Sequence, residues 1–74
     1  MPLRVVVRCR ICGAVIVSRE YNGPGETYSQ ILDLRAYLRH LEEKHPEAER
    51  EISRVKKEIA YLESLLLEEL SAPL

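Results

Sequence analysis

Amide side chains are nearly missing from this chain of 74 residues: Asn22 and Gln30 are the only two. There is no Phe and no Trp. Neither charge sign dominates, since 11 Lys+Arg stand against 12 Asp+Glu for a net charge of -1. That balance excludes a generally basic, histone-like protein. No apolar run approaches the ~20 residues that span a bilayer. Residues 1–5 lack the apolar stretch of a signal peptide, so a cytoplasmic protein without a membrane partner is expected. Length is also short. A core of this size supplies only about 3–5 kcal/mol, and small chains usually add a metal, a disulfide or a partner subunit. What is present argues against disorder: 46% of residues are hydrophobic and 31% charged. Few amides beside many charges is a compositional habit of hyperthermophile proteins.

The chain divides into three pieces. Residues 3–20 read as a β-hairpin, because Leu3, Val5, Val7 and Cys9 alternate with Arg4, Val6, Arg8 and Arg10. Ala14 to Val17 is a β-branched run of the kind strands favour. Tyr21 to Gly25 is loop, stopped by Gly23, Pro24 and Gly25. Thr27 with Gln30 matches a capping box and predicts a helix over 27–45. A second helix is predicted over 47–70, with residues 71–74 fraying. Apolar residues fall at Ile31, Leu34, Leu38 and Leu41, then at Ala48, Ile52, Val55, Ile59, Leu62 and Leu66. One heptad register runs through both helices, and Pro46 predicts a kink or short break at 45–46. The domains expected are 1–46, 47–70 and a tail of 71–74.

Cys9, Cys12, His40 and His45 are all the cysteines and histidines in the chain. Two residues separate the cysteines, on a knuckle whose Gly13 suits a tight turn. Four residues separate the histidines, near the end of the first helix. Two sulfur and two nitrogen ligands suit tetrahedral zinc, which would pin helix to hairpin and replace the missing core. Four protein ligands close the shell, so the ion is expected to be structural. The competing reading is a redox disulfide between Cys9 and Cys12, but no thioredoxin-like βαβ pattern surrounds them.

A cysteine pair on a hairpin followed by a histidine pair on a helix resembles the Cys2His2 zinc-finger family. Residues 38–47, Leu-Arg-His-Leu-Glu-Glu-Lys-His-Pro-Glu, are similar to the end of BED-type fingers. The resemblance covers residues 3–47. Small one-finger proteins of hyperthermophilic archaea and their viruses are the nearest likeness. The chain departs from the family in several places. Twenty-seven residues separate Cys12 from His40, where a short finger has about 12. The aromatic after the second cysteine is missing, leaving Val15 or Ile16 to take its core place. Tyr37 stands where a leucine usually precedes the first histidine.

The resemblance implies duplex DNA as a partner, read by the helix ahead of the first histidine. Counting back from His40 places Arg39, Ala36, Arg35 and Asp33 at reading positions. Arg4, Arg8, Arg10 and Arg19 on the hairpin are further phosphate candidates. Charge supports this only mildly, since residues 1–46 carry seven basic and five acidic side chains. In the second helix, Ile52, Val55, Ile59, Leu62 and Leu66 form an a/d seam that favours a parallel two-stranded coiled coil. The competing arrangement folds this helix back onto its own finger. Pro46 leaves no linker for a relaxed hairpin, which favours self-association. Tyr61 and Tyr37 are read as packing residues.

The sequence therefore predicts a small α+β protein: a ββα zinc finger with a long C-terminal helix, dimeric through a coiled coil, and a DNA-binding regulator. The alternative is an adaptor that docks a protein partner and uses zinc only for its fold. An enzyme is not expected, because no nucleophilic set, phosphate loop or open metal position is visible.

Overall fold

The computed structural model describes residues 3–21 and 23–71. Strands β1 (Arg4–Arg8) and β2 (Val15–Glu20) form an antiparallel hairpin, followed by helices α1 (Glu26–Lys44) and α2 (Glu49–Ser71). The fold is the small α+β arrangement expected. Of the predicted tail at 71–74, Ser71 ends α2 instead, while 72–74 and Asn22 of the loop lie outside the described residues.

The hairpin pairs Arg4 with Glu20 and Val7 with Val17, then skips a residue so that Arg8 meets Val15. The bulge gives β2 one extra residue, Ile16. Ile16 and Val7 turn toward the core, while Val15 stays half exposed. Of the two candidates for the missing aromatic's place, Ile16 takes it.

Helix α1 starts one residue earlier than the capping box predicted. Gly25 caps it in a left-handed conformation, at φ 86°, without a side-chain cap. The Thr27 hydroxyl instead donates to Glu69 on α2, at 3.2 Å. Glu26 opens the helix because its carboxylate is bound by Arg19 of β2.

The break at Pro46 is a full reversal. The His45 N–H closes the last turn of α1 on the Leu41 carbonyl at 2.7 Å, and the Ala48 N–H returns to the His45 carbonyl at 3.0 Å. Pro46 sits inside this four-residue turn, where its fixed φ and missing N–H cost no helical hydrogen bond. α2 then runs antiparallel to α1: Glu42 faces Lys56, Arg35 faces Glu63 and Thr27 faces Glu69. The predicted heptads are real, but the two seams close on each other within one chain. Val55 and Ile59 are buried with Ile31 and Leu41 of α1, and Ile52, Leu62 and Leu66 pack around them. The seam assigned to self-association is therefore spent inside the chain. Burying it against a covalently tethered neighbour needs no second molecule.

The core is small: Cys9, Ile31, Tyr37, Leu41, Val55 and Ile59. The radius of gyration is 13.7 Å and the extents are 45 × 31 × 13 Å. A compact domain of this length has a radius near 11 Å, so the molecule is a thin slab. Helix α1 lies in its middle, packed on the hairpin and on α2, whereas the α2 backbone approaches neither strand. No helix among the described residues is long and apolar enough to cross a membrane.

Candidate metal centre

The knuckle between the strands is held by its own backbone. The Cys9 N–H donates to the Ala14 carbonyl at 2.9 Å, and the Gly13 N–H returns to the Cys9 carbonyl at 2.8 Å. Gly13 has φ +77°, a left-handed value that side-chain-bearing residues rarely adopt. This turn brings Cys12 back beside Cys9. Helix α1 carries His40 near its C-terminal end, and the turn after it carries His45. The two rings lie 5.3 Å apart, edge to face.

These four side chains converge. Their ligand atoms all lie within 4.8 Å of one another. Cys12 Sγ is 3.4 Å from His40 Nε2. A tetrahedral ion with Zn–S about 2.3 Å and Zn–N about 2.0 Å would set a sulfur and a nitrogen roughly 3.5 Å apart. His45 Nε2 is buried with no hydrogen-bond partner, an orphan that a metal bond would satisfy. Both cysteines are free thiols. Cys9 is 2% exposed, and that burial opposes its thiolate. The backbone N–H groups of Cys12 and Ile11, with the Cys12 side chain, outweigh it and draw the Cys9 pKa below the usual thiol value. The pocket is thus prepared for a thiolate, the form that binds metal. The donor set and spacing fit a metal ion held at four points.

Beside the site lies a polar network centred on Tyr37, a residue that reads in the sequence as packing. Tyr37 is 3% exposed. Its hydroxyl accepts the Arg10 N–H at 3.2 Å and donates to Glu51 Oε2 at 2.5 Å. Arg54, one turn along α2, grips the same carboxylate at 2.7 and 2.9 Å. The Arg54 hydrogen bonds hold the Glu51 pKa down at about 2 despite the carboxylate's burial. Burial, and then the Glu51 contact, push the Tyr37 pKa up. The one hint in sequence was a tyrosine at a position where the family uses leucine.

The arginines assigned to DNA fare unevenly. Arg19 is engaged within the protein. Its guanidinium is clamped by Asp33 at 2.7 Å and Glu26 at 2.5 Å, on carboxylates about nine-tenths buried. Asp33, placed at a reading position, is for the same reason turned into the protein. Arg35 and Arg39 lie on the solvent face of α1, as expected, but each meets a carboxylate: Glu63 at 2.7 Å and Glu43 at 3.1 Å. Arg4 stands opposite Glu20 and bonds Ser18 Oγ. Arg10 is 4.0 Å from Glu51. Arg8 is exposed and no hydrogen bond or ion pair holds it among the described residues.

Comparison with protein-family models, with characterised proteins and with solved structures found no match. The likeness to Cys2His2 fingers accordingly rests on the ligand set and the strand–strand–helix order alone.

Proposed function

We propose that this chain is a zinc-stabilised protein-interaction module. Zinc is the reading best suited to two thiolates and two imidazoles in a closed shell. The observation that carries the binding role is the contrast between its charges and its apolar surface. The helix that would read DNA presents arginines already neutralised by Glu63 and Glu43. The same slab leaves large apolar side chains open. The ladder of facing residues that holds Glu42–Lys56 and Arg35–Glu63 leads, seven residues further along each helix, to Tyr28 and Leu70. These are 56% and 75% exposed, and Leu32 and Leu67 nearby in sequence are 47% and 66% exposed. Apolar surface of this kind, at the end of the helices opposite the metal, suits a protein partner better than a phosphate backbone.

Photo-crosslinkers placed singly at Leu67 and at Arg8 of the zinc-loaded chain, in its host cell, separate the classes. Protein adducts from position 67 and none to nucleic acid from position 8 support the module. The reverse pattern sinks it.

One observation favours a second reading. Arg4 and Arg8 flank Val6 on the exposed face of β1, with Arg10 just beyond. Contact with duplex DNA would then come from the hairpin rather than from α1. Binding measured over a salt series decides this. Three phosphate contacts give a slope of log K against log salt near -3, abolished by Arg4→Ala with Arg8→Ala and Arg10→Ala.

A further inference from the structure

Helix α2 packs on α1 and its backbone approaches neither strand. It nevertheless reaches the metal knuckle through Glu51, which lies 4.0 Å from the Arg10 guanidinium and also accepts from Tyr37. The Arg10 N–H, which lies between the two cysteines, donates to the Tyr37 hydroxyl. That hydroxyl in turn donates to Glu51 in the first turns of α2. Arg54 holds both carboxylate oxygens, and Oε2, which it shares with Tyr37, is thereby fixed in place to accept from the hydroxyl. Three elements meet at a single oxygen: the knuckle, α1 and α2.

The second link is His45. It supplies a candidate ligand, and its carbonyl accepts the Ala48 N–H that starts α2. An ion held by Cys9, Cys12, His40 and His45 would fix the knuckle at one end of this arrangement and the helix turn at the other. Without it, the knuckle is left with its internal hydrogen bonds, the Arg10 contacts to Tyr37 and Glu51 and the approach of Cys12 to His40. The Arg10 N–H is then held less firmly against Tyr37, and the turn loses the anchor at the His45 side chain.

We propose that metal occupancy and the docking of α2 are coupled through the Tyr37 hydroxyl and the His45 turn, which makes α2 a metal-gated helix. The proposal rests on the four-residue metal reading above. Metal binding tightens α2 against α1. Metal loss loosens it and uncovers Val55, Ile59 and Leu62, a face already patterned for helix pairing. Coupling of this kind is reciprocal: whatever factor the metal adds to helix docking, the docked helix adds to metal affinity. Tyr37 and Glu51 are positioning residues. Neither is among the four candidate ligands, and Tyr37 holds the backbone between the two cysteines.

The test uses the full chain loaded with Co2+ or Zn2+. A tetrahedral thiolate spectrum with Co2+ establishes the site; its absence in the unsubstituted chain overturns the metal reading and the coupling with it. Given that spectrum, hydrogen exchange of the α2 amides is followed with and without metal, and metal affinity is measured in variants. Partners that orient ligands are worth about 10–100-fold in metal affinity. Tyr37→Phe is expected to weaken Zn2+ binding by about ten-fold while keeping the tetrahedral spectrum. Glu51→Gln keeps an acceptor for the Tyr37 hydroxyl and should retain most of the affinity, whereas Glu51→Ala should not. Tyr61→Ala alters an exposed site on α2 that makes no docking contact with α1 and should leave affinity unchanged. A tetrahedral site whose loading leaves α2 exchange unaltered overturns the proposal. So does a Tyr37→Phe chain that binds within two-fold of the parent, or a Tyr61→Ala chain that loses as much as Tyr37→Phe.

Discussion

Val55 tests whether the α2 seam is closed within one molecule. Its side chain is 0% exposed, seated between α1 and α2 with Ile31, Leu41 and Ile59. Val55→Ala deletes two methyl groups. Transfer alone costs about 0.8 kcal/mol for each, and the unfilled space adds to it, so the loss should reach about 2–3 kcal/mol. Against a core worth about 3–5 kcal/mol, that is most of what packing supplies. One kcal/mol moves the midpoint of a domain this size by about 4–8 °C, which places the shift at roughly 10–20 °C. The assay is thermal melting by circular dichroism, with metal present, at two widely separated protein concentrations. A helix docked on its own chain gives a midpoint independent of concentration. A seam shared between two chains gives a midpoint that rises with concentration. A concentration-dependent midpoint in the parent protein would refute the reasoning, and so would a shift of a degree or two. Tyr61→Ala, at an exposed site on the same helix, serves as the control and should change stability by less than about 0.5 kcal/mol.

Three other outcomes follow from the same geometry. Chelation, or Cys12→Ser, removes a metal contribution that in zinc-finger peptides amounts to about 10–16 kcal/mol; far-UV circular dichroism should show lost structure, and a melting curve unchanged by chelator would contradict the metal reading. Arg19→Met leaves Glu26 and Asp33 buried without their cation, so its melting midpoint should fall, and adding Glu26→Gln with Asp33→Asn should restore much of it because the uncompensated charges are then gone. Glu51 has its pKa lowered from 4.5 to about 2; its stabilisation is complete above pH 4.5 and is lost as pH falls toward 2. Denaturant midpoints across that range should decline more steeply for the parent than for Glu51→Gln, and parallel profiles would remove Glu51 from the account.

Much of this was legible in the sequence. The hairpin alternation, the four candidate ligands and the heptad positions all reappear in the structure. Each is a local or periodic signal. What was not legible is long-range polar pairing. Arg19 reads as one more surface arginine, and only the fold brings Glu26 and Asp33, one β-to-α connection away, onto its guanidinium. Glu26 and Asp33 are seven residues apart and His40 seven beyond, so one polar stripe of α1 faces the hairpin and serves both the arginine clamp and the metal centre. Hydrophobic periodicity is blind to such a stripe. Tyr37 escaped for a related reason: an aromatic at a core-like position reads as packing, and its hydroxyl matters only because Arg10 and Glu51 arrive from elsewhere.

The seam shows why a correct pattern leaves its pairing open. An a/d stripe states that a helix pairs, without stating with what. The choice is set by connection length. A stiff continuous helix through Pro46 would have carried the seam of 52–66 away from that of 31–41, leaving only another molecule to cover it. A turn of four residues, His45 to Ala48, places the two seams face to face instead. Short tethers give effective concentrations in the millimolar range. An intermolecular exchange that merely reproduces these contacts gains nothing until the protein itself approaches that concentration. The same logic assigns the metal its leverage. His45 stands at the one position whose backbone closes α1 and opens the turn into α2, so fixing that side chain fixes the angle at which the seams meet. In a slab with six buried hydrophobic residues among those described, an ion held at the turn would stabilise both halves of the chain, while one held at mid-helix would stabilise only its own.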